Sequence, residues 1–500
     1  MTEFSMSALA PTHDATGTDD LRSFGYKQEL RRSLGGFSAF AAGFSFVSIL
    51  TTVFQLFGLG YGLGGTLFFW TWPIVLVGQL GVALSFAELA AKYPLAGSVY
   101  QWARQLVGGF FGWLAGWFML LGCIVALAAA AIALQVVLPS VWSGFQIVSG
   151  DSAIASPTGA ANAVLLGSGL LVLTTLVNVA GVKFVGRVND VGVTAELAGV
   201  VVLLVGLAIH LVRGPGVVVT DHHAGDPSPG TSGVLVSMLA AAYVFYGFDN
   251  AASVSEETKN ARRAGPRGIL RALLFSGVGA VAVVLLALMA APSLTDGQLA
   301  TVGLPYVIDS IFGHVTGKIF LADVAIAISV ATLTIQTGTI RLFYSMARDQ
   351  ALPAAKHLAR VNPRTGTPII GSILSGVLAV AILVVNIKNP ALFTVVCGTS
   401  VVFVYLAYLL VTGPLLVQRL RGHFQSEIGY FTLGRWAIVV NAVAVLYGLS
   451  QLINIAWPRS VVYDFTGSGQ WWSLFFPIIA VGVLTAGGYG YWTSTRRSAR

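Results

Sequence analysis

The chain has 500 residues, of which 56% are hydrophobic and 10% are charged, and its formal net charge is +8. Ordinary globular proteins contain about 25% charged residues. A soluble enzyme, a disordered protein and a nucleic-acid-binding protein each need a charged, water-facing surface, so this composition excludes all three. The composition is typical of an integral membrane protein.

Twelve apolar stretches are expected to cross the membrane as helices, because each is about 20 residues or longer and a helix needs about that length to span ~30 Å of hydrocarbon. They are too long for barrel strands, and lipid-exposed backbone must satisfy its own hydrogen bonds. The fold class is therefore an all-α membrane protein with 12 transmembrane helices. The predicted spans are 36–57, 66–90, 110–136, 162–182, 191–211, 233–254, 270–291, 319–345, 368–387, 391–413, 436–456 and 472–492.

The basic residues are divided unevenly between the two sides of this topology. With alternate loops on opposite sides, 24 of the 28 Lys and Arg residues lie on the side of the N-terminus, and the other side has Arg213, Lys318, Lys388 and Arg459. The positive-inside rule then makes both termini cytoplasmic. The positive charge reflects this topology and attraction to anionic membrane lipids, so no nucleic-acid partner is expected.

Two spans contain residues that are unusual at mid-membrane depth. Span one has glycines and hydroxyls, and span six has the carboxylate of Asp249 beside Gly247 and Asn250. Irregular backbone is tolerated at that depth only where it lines a cavity or is buried in protein. The predicted substrate-binding residues are Ser48, Ile49, Leu50, Thr51, Thr52, Tyr243, Phe245, Tyr246, Gly247, Phe248, Asp249 and Asn250. Two alternatives stay open, namely packing hydroxyls that bond back to their own helix and aromatic side chains that face lipid or the core.

The two interruptions occupy matching positions if the first ten helices form two inverted halves of five, as in inverted-repeat transporters. A half-helix N-terminus offers N–H groups to a carboxylate, and unwound carbonyls and acidic side chains hold cations. Neither Lys nor Arg is expected deep within a span. The pattern therefore predicts a zwitterionic or amine ligand, and the aromatic residues of span six are suited to cage an ammonium group.

Other acidic residues of the spans have different expected roles. Glu196 lies on a stripe with Gly192 and Gly199, which should face a neighbouring helix, and it is a candidate proton carrier together with Asp249, or alternatively a structural hydrogen-bonded side chain. Asp323 is expected near the outer end of span eight, as a vestibule residue or a helix N-terminal partner. The remaining acids, at cytoplasmic ends and expected to pair with basic loop residues, are Glu88, Glu256 and Glu257.

Three motifs resemble the amino acid/polyamine/organocation transporter superfamily, and within it the amino acid/choline transporter family. The motifs are Ala87-Glu88-Leu89-Ala90-Ala91-Lys92-Tyr93-Pro94 with Gly97-Ser98-Val99-Tyr100-Gln101-Trp102; Tyr246-Gly247-Phe248-Asp249 with Glu256-Glu257-Thr258-Lys259-Asn260; and Arg341-Leu342-Phe343-Tyr344-Ser345-Met346-Ala347-Arg348-Asp349 with Leu352-Pro353. The resemblance implies the leucine-transporter fold, a five-plus-five inverted repeat with two additional helices, in which helices one and six are unwound at the midplane.

This resemblance implies a secondary active transporter that imports an amino acid or a small amine such as γ-aminobutyrate or choline across the plasma membrane. Proton symport is preferred over sodium coupling, although the helix-eight hydroxyls Ser329, Thr332 and Thr334 are of the type that joins a sodium site. The alternatives are an uncoupled exchanger, a membrane receptor and a polytopic enzyme. Two cysteines within spans and seven scattered histidines predict no disulfide, metal or cofactor. The implied organisation is a cytoplasmic tail 1–35, a transport core 36–413, helices eleven and twelve in 414–492, and a basic cytoplasmic C-terminus 493–500.

Overall fold

The structure is a computed structural model and describes residues 21–154, 156–222, 231–387, 392–464 and 466–498. Most of the predicted N-terminal tail, the first residue of predicted span ten, and Lys388 lie outside the described residues. Within them every regular element is helical, apart from one isolated parallel bridge between Leu34 and Thr258.

The α-helices are numbered here in chain order; apart from Asn250–Ser253, helices of four residues are left out, as are the 3-10 helices. They are α1 Gly36–Val47, α2 Ile49–Gly64, α3 Thr71–Lys92, α4 Ser98–Val107, α5 Gly109–Ile132, α6 Leu134–Val141, α7 Pro157–Ala180, α8 Val182–Ile209, α9 Thr231–Val244, α10 Asn250–Ser253, α11 Ala261–Ala290, α12 Leu304–Arg348, α13 Ile369–Asn386, α14 Leu392–Leu420, α15 Ala437–Ala456 and α16 Phe476–Ser498.

Eight helical runs of the described residues are long and apolar enough to cross a membrane. The first run, Gly36–Lys92, contains two of the predicted spans, so the eight runs include predicted spans one to five, seven, eight, ten and eleven. Predicted spans six and nine correspond to the shorter apolar helices Ser232–Val244 and Ile369–Val385. Predicted span twelve corresponds to α16, which belongs to neither group. The protein is thus a helical, multi-pass membrane protein.

The predicted boundaries differ most where a helix continues beyond the apolar stretch. The seventh span was expected from residue 270, whereas α11 starts at Ala261, because its first turns contain arginines that extend the helix past the apolar stretch. The eighth was expected over 319–345, whereas α12 covers Leu304–Arg348 with a kink at Gly313, where φ is 69°. Apolar length therefore does not mark the helix ends.

The helices form an inner group and an outer group. In the most apolar segment of the run Gly109–Val141, 83% of the residues are buried inside the protein. The corresponding share for the run Gly434–Ala456 is 28%. Helix α1 packs on α8, α10, α11 and α12, and α2 packs on α9 and α12. The two helices that were expected to be interrupted are therefore neighbours inside the bundle.

Candidate functional site

The first helical run is interrupted at Ser48. Helix α1 ends at Val47 and α2 begins at Ile49, and Ser48 between them has φ 38° and ψ 100°. Non-glycine residues seldom have a positive φ, and such residues are often found at functional sites. The Ser48 side chain accepts a hydrogen bond from the Thr51 N–H, and the Thr52 hydroxyl donates to the Ser48 carbonyl at 2.8 Å. Local hydroxyls thus stabilise the interruption.

A second interruption separates α9 from the short helix α10. Residues 245–249 between them are not helical, and Gly247 has φ +88°. A Cβ atom on Gly247 would lie 1.9 Å from Cδ1 of Phe46, so only glycine allows the Phe46 ring to contact this backbone. The Gly247 N–H donates to the Tyr408 hydroxyl at 2.9 Å. The two interruptions therefore meet through Phe46 of α1 and Gly247.

Asp249 is completely buried between three helices. Its Oδ1 accepts a hydrogen bond from the Tyr408 hydroxyl of α14 at 2.5 Å, and its Oδ2 accepts one from the Ser98 hydroxyl at the start of α4 at 2.8 Å. Ser98 also lies 3.0 Å from the Ser253 hydroxyl of α10. A buried carboxylate is stable only when such donors replace its water. Asp249 thus links α4, α10 and α14.

Two small cavities lie on either side of Phe46. The first is lined by Phe46, Thr51, Thr52, Gln55, Ala130, Tyr243, Tyr246, Ala331 and Ile335, and the second by Phe46, Gly97, Ser98, Met119, Cys123, Asp249, Asn250, Ser253, Gly338 and Leu342. Each has a volume of about 10 Å³, which is the room that one water molecule needs. The space beside the two interruptions is therefore almost filled by side chains, and Phe46 borders both cavities.

The predicted substrate-binding residues are divided among several environments. Thr51, Thr52, Tyr243 and Tyr246 line the first cavity, whereas Asp249 and Asn250 line the second. Apart from Gly247, the remaining five predicted residues line neither cavity. Ser48 and Leu50 contact α8, and Ile49 lies against Gly279 of α11. Phe245 contacts Trp72, and Phe248 contacts Phe86.

Four residues of this region were missed by the sequence analysis. Phe46 contacts both cavities, and Gln55 lines the first. Ser98 and Tyr408 hold Asp249. A buried amide one turn beyond Thr51 was a usable signal for Gln55. Tyr408 lies 159 residues from Asp249 in the chain, and no local pattern connects them.

Glu196 of α8 is bound directly to the first interruption. Its side chain is 1% exposed, and its Oε1 accepts hydrogen bonds from the Ser48 hydroxyl at 2.8 Å and from the Leu50 N–H at 3.2 Å. Its Oε2 is buried and has no hydrogen-bond partner. The expected glycine stripe does face a neighbouring helix, since Gly192 and Gly199 lie against Val330 and Asp323 of α12.

The helix-eight hydroxyls of the type that joins a sodium site form hydrogen bonds within the protein. Ser329 donates to the Ala325 carbonyl at 2.8 Å and Thr332 to the Ile328 carbonyl at 2.7 Å, both on their own helix. Thr334 lies 3.1 Å from the Ser45 hydroxyl and 2.7 Å from Oδ1 of Asn189. Among the described residues no three His, Cys, Asp or Glu side chains are grouped to hold a metal ion.

The acids at the helix ends pair with arginines. The partners of Glu256 and Glu88 lie outside the predicted spans, as expected, whereas the partner of Glu257 lies inside predicted span eight. Glu256 bonds Arg348 and Glu257 bonds Arg341, each through two hydrogen bonds of 2.9–3.0 Å. Glu88 forms a salt bridge with Arg419 through one nitrogen–oxygen contact. All three arginines belong to helices α12 and α14. These helices continue beyond their apolar stretches, so their guanidinium groups lie beside the acidic residues at the ends of neighbouring helices. Arg341, which lies within predicted span eight, is 2% exposed.

Comparisons with known proteins agree with this architecture. The family model described as amino acid permease matches residues 34–484. The chain is 27% identical to Amino-acid permease BAT1 of Arabidopsis thaliana, over 98% of this chain and 96% of that protein. It is 30% identical to the Branched-chain amino acid permease BcaP of Lactococcus lactis, over 67% of this chain and 68% of that protein. It is 29% identical to the Methylthioribose transporter of Bacillus subtilis, over 63% of this chain and 68% of that protein. With most of its length matched by this model, the chain belongs to the amino acid permease family and is a membrane transporter of amino acids rather than an enzyme.

Proposed function

We propose that this permease imports a neutral amino acid, or a small amine such as γ-aminobutyrate or choline, across the plasma membrane by alternating access coupled to protons. The observation that carries the proposal is the meeting of two interrupted helices beside a buried carboxyl. Phe46 contacts Gly247 where α1 and the α9–α10 segment touch, and Glu196 bonds the backbone at Leu50.

The proposed membrane arrangement has twelve crossings, with both termini in the cytoplasm and the two interruptions near the midplane. The uneven distribution of Lys and Arg supports this orientation. In it, α1 and α2 together form the first crossing, and α9 and α10 form the sixth. The first cavity then lies on the extracellular side of Phe46 and the second on the cytoplasmic side, so Phe46 separates two halves of one path.

The residues around the first cavity favour a ligand without net charge. The lining contains hydroxyls, the Gln55 amide, aromatic rings and small apolar side chains, and none of these is ionised at neutral pH. The ammonium and carboxylate of a zwitterion would be satisfied by backbone groups at the interruptions. The name of the branched-chain permease among the relatives points to the same substrate class.

Glu196 supports proton rather than sodium coupling. Proton coupling requires a carboxyl that changes its environment as the site opens, and Glu196 bonds Ser48 and Leu50 at an interruption that must move. The hydroxyls of Ser329 and Thr332 donate to their own helix. Asp249, the second predicted proton carrier, already accepts two hydroxyl hydrogen bonds, so we assign it to closing the cytoplasmic side.

The test is transport by the purified protein in proteoliposomes, with a panel of labelled neutral and charged amino acids, γ-aminobutyrate and choline. An inward pH gradient should drive accumulation of one or more neutral amino acids, whereas a sodium gradient at equal pH should not. Accumulation driven by sodium would refute the coupling, and exchange without accumulation under either gradient would identify the alternative, an uncoupled exchanger.

Two variants assign the carboxyls. Glu196→Gln keeps the side-chain volume but cannot bind a proton, so pH-driven accumulation should fall much more than exchange. Asp190→Asn is the matched control, because Asp190 is also on α8 but bonds Ser38 away from the interruption. Equal effects in both variants would contradict a special role for Glu196. Asp249→Asn should lower uptake at normal surface expression, and full uptake would remove Asp249 from the mechanism.

A further inference from the structure

A second carboxyl of the membrane region lies beside Glu196. Asp323 of α12 is half-buried, and its Oδ2 is enclosed without a hydrogen-bond partner, like Oε2 of Glu196. The Asp323 carboxyl lies against Gly199 of α8, which is one turn from Glu196. Enclosed carboxyl oxygens without donors are costly, and a proton shared between neighbouring carboxyls removes part of that cost. We propose that Asp323 accepts the coupling proton from the extracellular side and passes it to Glu196.

The position of the Asp323 carboxyl against α8 depends on Gly199. A Cβ atom at this position would lie 1.9 Å from Oδ2 of Asp323, so any other residue would displace the carboxyl. Gly199 is one turn beyond Glu196 on α8, toward the end that we propose to be extracellular. Gly206 lies two turns further along the same stripe, and a Cβ atom there would lie 2.0 Å from Cζ of Phe312. The stripe therefore lets α12 approach closely, and it contacts a carboxyl only at Gly199.

The ionisable groups on the helices around Glu196 include few that could donate a proton to it. The helices that pack against α8 are α1, α2, α7, α11 and α12. Helices α1, α2 and α7 contain no Asp, Glu, Lys, Arg or His, and the only tyrosine among them is Tyr61, whose hydroxyl donates to the Leu294 carbonyl. The charged residues and histidine on the other helices, together with the remaining charges of α8, are Arg262, Arg263, Arg267 and Arg271 of α11; Asp309, His314, Lys318, Asp323, Arg341 and Arg348 of α12; and Lys183, Arg187 and Asp190 of α8. The tyrosines of α12 are Tyr306, which bonds Asp296, and Tyr344, which bonds Glu29. Of the groups whose side chains the structure describes, Asp323 is the one whose carboxyl lies against the glycine stripe of α8, one turn from Glu196.

The step is a transfer between two oxygens and needs no oxidant or reductant. Extracellular water protonates Asp323, the O–H bond at its Oδ2 then breaks, and an O–H bond forms at Oε2 of Glu196. Asp323 is left ionised and is protonated again from outside. The proton leaves Glu196 toward the cytoplasm when the contact with Ser48 and Leu50 opens. This inference rests on the proposed function, in which Glu196 carries the proton.

Time-resolved infrared spectroscopy tests the transfer without a substrate. The purified protein is exposed to a rapid fall in pH, and the C=O stretch of protonated carboxyl groups is recorded. The band that is absent in Glu196→Gln belongs to Glu196. Its appearance should be slowed about tenfold or more in Asp323→Asn, since a positioned acid typically contributes a rate factor of this size or larger. Asp323→Glu should restore much of the rate.

The glycine stripe supplies matched steric variants. Gly199→Ala should slow the Glu196 band as Asp323→Asn does, because the added methyl displaces the carboxyl. Gly206→Ala places a methyl against Phe312 in the same helix interface and should leave the rate unchanged. A wild-type rate in Asp323→Asn would overturn the relay, as would equal slowing in the two alanine variants. A wild-type protein that lacks any Glu196-dependent band would instead refute Glu196 as the proton carrier.

Discussion

Replacing Tyr408 by phenylalanine should open the closed path on the side of Asp249. The Tyr408 hydroxyl donates to Oδ1 of Asp249 at 2.5 Å and accepts from the Gly247 N–H at 2.9 Å. The variant keeps the ring, which packs on Phe86 and Phe248, and removes only the hydroxyl. It therefore tests whether this one group holds the non-helical segment in place.

The size of the expected increase in the open population follows from the free energies of the two hydrogen bonds that are lost. A bond to a charged group contributes about 1.5–3 kcal/mol and a neutral one about 0.5–1.5 kcal/mol. Together they favour the closed form by about 2–4.5 kcal/mol, provided that opening lets water hydrate both Asp249 and Gly247. Since about 1.4 kcal/mol is a factor of ten, the open population should rise between roughly 30-fold and 2,000-fold.

Cys123 reports the opening, because its thiol lines the second cavity together with Asp249. The chain has two cysteines, and both are buried. In a Cys397→Ser background, labelling of Cys123 by N-ethylmaleimide should therefore proceed in proportion to the open population. Tyr408→Phe should raise the labelling rate by the factor given above, measured by mass spectrometry of the intact protein.

Tyr405→Phe is the matched control on the same helix. The Tyr405 hydroxyl is also buried and bonds two side chains, Gln79 at 2.8 Å and Tyr447 at 2.9 Å, but it does not contact the interruption. It should change the Cys123 labelling rate little. The reasoning is refuted if Tyr408→Phe labels at the parental rate, or if the two variants accelerate labelling equally.

Three further changes test other parts of the structure. Gly247→Ala forces a methyl to 1.9 Å from Phe46 and costs about 1–2 kcal/mol in left-handed backbone alone, so uptake should fall at normal expression; uptake equal to the parent would show that the contact is not required. Glu257→Gln leaves Arg341 buried without its partner and should destabilise the protein by about 3–5 kcal/mol; a thermal melt should show this loss, and recovery is expected when Arg341→Met is added. Tyr26→Phe removes the hydrogen bond to Asp349 and should speed tryptic cleavage of the N-terminal segment. Because burial raises the pKa of the Tyr26 phenol, the bond is present at neutral and mildly alkaline pH, and the ratio of cleavage rates should be constant between about pH 7 and pH 9; a ratio that collapses in this range would contradict the assignment.

The helical class and most of the predicted spans followed from composition and apolar length, because a bilayer imposes both on any crossing helix. Prediction was weakest at helix ends. Span six was expected over 233–254 with an interruption beside Gly247, and regular helix does stop at Val244 and resume at Asn250, but the end residues themselves depend on the contact of Gly247 with Phe46. Polar turns extend α11 beyond its apolar stretch, whereas α12 is extended by the short apolar helix Leu304–Gly313 before the kink, and the length of an apolar stretch predicts neither extension.

The sequence predicted the two segments of the candidate site, but it did not predict how their side chains are arranged. Glycine, hydroxyls and a carboxylate at membrane depth are unusual enough to mark residues 48–52 and 245–250 from the sequence alone. Their division between two cavities was not predictable, because it depends on which face of each interruption meets Phe46. Likewise, nothing local connects Tyr408 or Ser98 with Asp249, and their hydrogen bonds exist only because α4 and α14 converge there.

By itself, the sequence determined the membrane class, the family resemblance and the chemically unusual residues, since each of these depends on residue type and spacing along one chain. Tertiary structure alone decided which unusual residues act together. Glu196 and Ser48 are 148 positions apart, and their contact requires α8 to lie against the first interruption. Asp323 was expected to be a vestibule or helix-end residue, and its carboxyl lies against α8 one turn from Glu196 because Gly199 has no side chain at that position. Such partnerships depend on the absence of a side chain at a helix crossing, which a linear pattern does not reveal.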